Sequence, residues 1–131
     1  MAIQNLKPDG LLKPTGFVQV SVATGSRMVF VSGQVATDPE GNVVGEGDPV
    51  AQARQVFANL KTALEAAGAT LDDIAKLTWY VIGDQSELRP ALAEARRSVV
   101  GDREFVSTLL GVAALADPAY LFEAEAIAVI D

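Results

Sequence analysis

At 131 residues and 50% hydrophobic composition, the chain is sized for one domain, spanning 1–131, whose core needs no staples. It carries no cysteine and no histidine, which excludes disulfides, thiolate nucleophiles, Cys/His zinc sites and imidazole catalysis; neither a metal nor a cofactor is expected. Ten Lys and Arg against seventeen Asp and Glu give a net charge of −7, which disfavours a nucleic-acid partner, and no apolar run nears the roughly 20 residues of a membrane span.

Residues 1–5 lack a basic segment followed by an apolar one, so a cytoplasmic location is expected. Residues 17–23 alternate as Phe-Val-Gln-Val-Ser-Val-Ala and predict a strand. Thr24-Gly25-Ser26 reads as a turn and residues 28–31 as a returning strand, together an N-terminal hairpin ended by Ser32-Gly33-Gln34. Asp38-Pro39-Glu40-Gly41-Asn42 is a tight turn. A helix follows, capped by Asp48, opened by Pro49 and stopped by Gly68. Its apolar stripe is Val50, Ala53, Val56, Phe57, Leu60, Leu64 and Ala67.

Residues 77–82, Leu-Thr-Trp-Tyr-Val-Ile, are rich in β-branched and aromatic side chains and predict a third strand. A second helix is expected over 86–100, with Leu88, Leu92, Ala95 and Val99 as its stripe, Pro90 in its first turn and Gly101 as its stop. Residues 108–115 and 121–130 are the last strands, joined by Ala116-Asp117-Pro118-Ala119. The fold class is therefore α+β with the order β-β-α-β-α-β-β. Strands three and four, linked across a helix, should run parallel in a mixed sheet with both helices on one face. Each of the last two strands is apolar on both sides, and the helices can cover only one. Burial of the other against further copies of the chain is the simplest remedy, with a monomer whose loops cover that face as the alternative.

Glu123 and Glu125 project from the same side of the last strand, and Glu125 sits between Ala124 and Ala126. A carboxylate there fits a half-exposed strand, an ion pair across a subunit interface, or a catalytic group in a cleft. Ser107 and Thr108 open the fourth strand and could line a pocket; a serine nucleophile has no base to activate it. Gly33 would let a ligand approach backbone N–H groups. Most of the arginines read as solvated, and Arg103 alone lies in a loop where anion binding is conceivable.

Gly16-Phe17-Val18-Gln19, Ser32-Gly33-Gln34-Val35, Ala51-Gln52-Ala53-Arg54-Gln55-Val56 and Glu65-Ala66-Ala67-Gly68 occur in order. With Asp73-Ile74-Ala75-Lys76-Leu77-Thr78 and Glu123-Ala124-Glu125-Ala126-Ile127-Ala128, they resemble the Rid (reactive intermediate deaminase, YjgF) family. That resemblance implies a chorismate-mutase-like fold and a homotrimer with small-molecule clefts between subunits. It also implies hydrolysis of 2-imino acids, with an arginine gripping the substrate carboxylate and a glutamate positioning water. Glu125 matches that glutamate and Gly33 the glycine of the cleft. Ser107 stands where the arginine is expected, Phe17 replaces a tyrosine, and Pro90 falls near the place of an asparagine.

The expected function is thus a divergent deaminase-like hydrolase not acting on simple 2-imino acids, with Glu125 catalytic. Phe17, Gly33, Ser107, Thr108 and Arg103 are the expected ligand-binding residues. Serine and threonine in place of arginine favour a neutral or less anionic ligand. The alternative is a trimer that binds a small ligand or stabilises other proteins without catalysis.

Overall fold

The computed structural model describes residues 3–131 and orders them as six strands and two helices. These are β1 (Ile3–Leu6), β2 (Val20–Ala23), β3 (Arg27–Gln34), α1 (Pro49–Ala66), β4 (Ile74–Ile82), α2 (Gln85–Val100), β5 (Ser107–Val112) and β6 (Phe122–Ile130). A four-stranded sheet runs β3-β6-β4-β5, with β4 and β5 parallel and the other pairs antiparallel. The α+β class, the mixed sheet and the parallel pair are as the sequence implies.

The N-terminal hairpin does not form. β2 pairs instead with β1, in a separate two-stranded ribbon, while β3 joins the C-terminal β6. Turn chemistry at 24–26 reverses the chain but cannot choose the strand's partner. The apolar inner side of β6 makes the larger burial with β3. β3 also runs on through Ser32, Gly33 and Gln34, with a bulge between Val31 and Gln34, so this tripeptide lies within the strand and not after it.

α1 starts where expected. Asp48 Oδ1 accepts from the Ala51 N–H at 3.2 Å, and Gly68 past its end takes φ 78°, a left-handed value that glycine adopts without a Cβ penalty. α2 is capped by Asp84, whose Oδ1 accepts from Ser86 N at 2.9 Å. These bonds hold the Asp84 carboxyl below its ordinary pKa. Because α2 starts at Gln85, Pro90 lies beyond the first turn, where the helix loses one backbone bond.

Both helices cover one face of the sheet. There Val56, Phe57, Leu60 and Leu64 of α1 meet Leu77, Trp79 and Val81 of β4 and Phe122, Ala124 and Ala126 of β6, all buried. Phe57 and Trp79 stack at a tilt with centroids 5.0 Å apart, and Trp79 meets Phe122 edge-on at 6.1 Å. The opposite face is different. Phe30 is 70% exposed, Met28 61% and Leu110 45%, so one copy leaves an apolar sheet surface in water.

Candidate functional site

Strand register decides which face each candidate residue occupies. Thr108 of β5 pairs with Thr78 of β4, which pairs with Glu125 of β6, so these three form one row on the open face. Tyr80, two residues along, donates from Oη to Glu125 Oε1 at 2.5 Å. The bond and the negative charge push the Tyr80 phenol above its ordinary pKa, with Glu123 adding to the effect. Gly33 faces Glu123, and a Cβ there would collide with the Glu123 carboxylate. That carboxylate is the far end of a flexible side chain and would have to swing aside. A shallow cavity of about 340 Å³ opens beside Glu125, lined by Phe30, Ser32, Lys76, Thr78 and Ile127.

Ser107 points the other way. It pairs with Leu77, so it shares the helix side with Trp79 and Leu109. Val18 is held beside Val106 by a backbone bond from Val18 N to Phe105 O at 3.0 Å. This brings Phe17 to the same side. Phe17, Phe57, Trp79, Phe105, Ser107 and Leu109 line a cavity of about 510 Å³, closed along one edge by α2. In a single copy, then, the candidate residues fall into two groups on opposite faces: Phe17 with Ser107, and Glu125 with Thr108 and Gly33.

Arg103 joins neither group. Its Nε binds Asp72 Oδ1 at 2.6 Å in an exposed pair, the Asp72 charge raises its pKa further, and it is absent from both cavity linings. The cations that do line the larger cavity are others. Arg89, Arg96 and Arg97 reach it from α2, beside Leu92 and Ala93. Their spacing puts them next to the Leu88–Leu92–Ala95–Val99 stripe, and that adjacency was the available signal. Position 107 lacks the guanidinium, but the neighbouring helix brings three to this wall.

Tyrosine titration followed by absorbance tests the pair on the open face. Tyr80 should ionise above its ordinary value of 10.0, and in Glu125→Gln its transition should move to lower pH. An unmoved transition would mean that the two groups do not meet in solution.

The fold is an α+β domain whose sheet has one helix-covered face and one exposed face. The chain matches the family model Endoribonuclease L-PSP over residues 11–130 and belongs to this family, the Rid (YjgF) proteins. A RutC family protein of Pyrococcus abyssi is 39% identical over 69 residues, covering 53% of this chain and 54% of that relative. The chain therefore matches about half the length of that curated relative. The crystal structure of a conserved Rid-family protein of unknown function from Yersinia pestis superposes with TM-score 0.89 at 34% identity, covering 99% of this chain and 100% of that one. RidA from an Antarctic Psychrobacter superposes with TM-score 0.70 at 30% identity, covering 99% of each chain.

Proposed function

We propose that the chain works in the cytoplasm as a homotrimer with three small-molecule clefts. In each, the Phe17–Ser107 wall of one copy meets the Glu125–Tyr80 row of the next, and the cleft hydrolyses a C=N bond in a deaminase-like reaction. The observation that carries this reading is Glu125, an exposed carboxylate on a sheet face whose apolar neighbours, Phe30 and Met28, are uncovered in one copy. Such a face is suited to burial against another subunit, which would enclose the carboxylate in a cleft.

Tyr80 occupies Glu125 Oε1 and leaves Oε2 available to accept a proton from water. The water oxygen adds to the imine carbon and a proton goes to nitrogen. The resulting carbinolamine collapses to a carbonyl, releasing ammonia. Ser107 offers a hydroxyl, but not the fork that grips a substrate carboxylate bidentately. This supports a substrate other than a simple 2-imino acid. Ser107 also favours a second reading, a trimer that binds a small ligand without turning it over. The family model's endoribonuclease name is not carried over, since a chain of net charge −7 repels a phosphate backbone.

Ammonia release is the test. Imino acids would be generated in situ by an amino-acid oxidase, and a panel of other imines supplied directly, to wild type, Ser107→Arg, Glu125→Gln and a blank. The proposal expects wild-type turnover on some imine outside the simple 2-imino acids, falling by a factor of about 100 or more in Glu125→Gln. It also expects a gain on imino acids in Ser107→Arg. Binding with no ammonia from any imine would select the second reading, and a monomer by sedimentation would remove the composite cleft.

A further inference from the structure

The cavity under α2 holds chemistry that imine hydrolysis does not use. Arg27 donates to the Asp131 carbonyl, Arg54 to Ser98 Oγ and Arg103 to Asp72. Arg89 and Arg97, by contrast, have no hydrogen-bond or ion-pair partner among the described residues. Arg96 donates only to the Arg103 carbonyl, which is neutral. None of the described residues lining the cavity is acidic. Three uncompensated guanidinium groups thus border one space in a chain of net charge −7, where the surplus of carboxylates would otherwise supply partners.

Apart from Thr15 and Ser107, the rest of the lining is apolar, with Phe17, Phe57, Leu77, Trp79, Phe105 and Leu109 prominent. Arg89 and Arg97 are exposed and Arg96 half-buried; a neutral ligand would leave all three without a counter-ion, and a single carboxylate would leave two of them unmatched. Guanidinium forks pair best with planar or tetrahedral oxyanions. We propose that this cavity binds a small dianion with an apolar body, a phosphate or dicarboxylate head held by Arg89, Arg96 and Arg97 and a ring or branched group against Phe17 and Leu109. The inference rests on the proposed function only in taking this cavity as the ligand side of the cleft; all of its residues belong to one copy.

Calorimetric titration of the intact protein with phenyl phosphate, phthalate, benzoate and inorganic phosphate tests it. One of the first two should bind at least about tenfold more tightly than benzoate and than inorganic phosphate, and which of them does so identifies the head. Arg89→Gln and Arg97→Gln, both at exposed positions, should each weaken that ligand by about tenfold. Benzoate binding as tightly as either dianion, inorganic phosphate binding as well as phenyl phosphate, no binding of any probe, or arginine variants indistinguishable from wild type would each overturn the proposal. Retained dianion binding without ammonia release would remove the hydrolase and leave this site standing; the reverse would remove only this site.

Discussion

Phe57→Ala is expected to lower the unfolding free energy by about 3–5 kcal/mol. The ring is 1% exposed and contributes the α1 side of an aromatic series that continues through Trp79 to Phe122. Truncation loses the transfer energy of the ring and its tilted contact with Trp79, and it leaves a void that the surrounding strand and helix cannot close. The site is backed by a rigid sheet, with Leu60, Leu77 and Val81 already packed around it, so relaxation should recover little of the loss. Guanidinium unfolding should show the midpoint falling at unchanged slope, the sign of lost stability and not of a changed denatured state. Phe57→Leu, which keeps most of the volume, should lose distinctly less. A loss under about 1 kcal/mol for Phe57→Ala would mean that α1 is not seated on the sheet as described. The same variant widens the cavity beside α2, which Phe57 lines.

Local pattern and long-range pairing separate clearly in this chain. α1 was legible because seven apolar residues recur at helical spacing between Asp48 and Gly68, and each of those signals acts within one or two turns. The alternation of β6 was legible too, and with it the prospect of two apolar faces. β1 was not: Ile-Gln-Asn-Leu is short, only Ile3 of its four residues is buried, and what makes it a strand is the presence of β2. The partner of β3 lies about a hundred residues away at β6, a choice that no window of sequence contains.

The site divides along the same line. Alternation along each strand shows that Ser107 and Thr108 face opposite ways, but only the register of β5 on β4 shows which of them shares a side with Glu125. That Phe17 and Ser107 lie on one face of a copy while Thr108 and Glu125 lie on the other is information carried by pairing. The α2 arginines were visible as letters and even as a helical face. Their common cavity became visible only once Phe17 and Phe105 were brought alongside the helix.

Gln52 supplies the second large effect, through polar groups. It is fully buried in α1 and ties three segments together. Nε2 donates to the Ala119 carbonyl at 2.8 Å and to the Gly45 carbonyl at 3.2 Å, while Oε1 accepts from Leu121 N at 2.9 Å. Gln52→Leu keeps the apolar contacts but takes the partner from two carbonyls and an N–H on half-buried residues, so a loss of about 1–3 kcal/mol is expected despite the gain in hydrophobicity. Gln52→Glu tests the direction of those bonds. A carboxylate can still accept from Leu121 N but repels the two carbonyls, and burial disfavours its charge, so its pKa in the folded state is raised above the ordinary value near 4.3. A group raised in this way gives stability that is present below its unfolded pKa and is lost as pH rises through the folded one. Gln52→Glu should therefore be nearest wild type at about pH 4 and fall behind progressively toward neutrality, while the Gln52→Leu deficit stays flat over the same range. Of the segments that Gln52 joins, the turn at 119–121 leads directly into β6, so its loosening would also displace Glu123 and Glu125. Equal pH profiles for the two variants would show that the carbonyls of Gly45 and Ala119 do not face this side chain in solution.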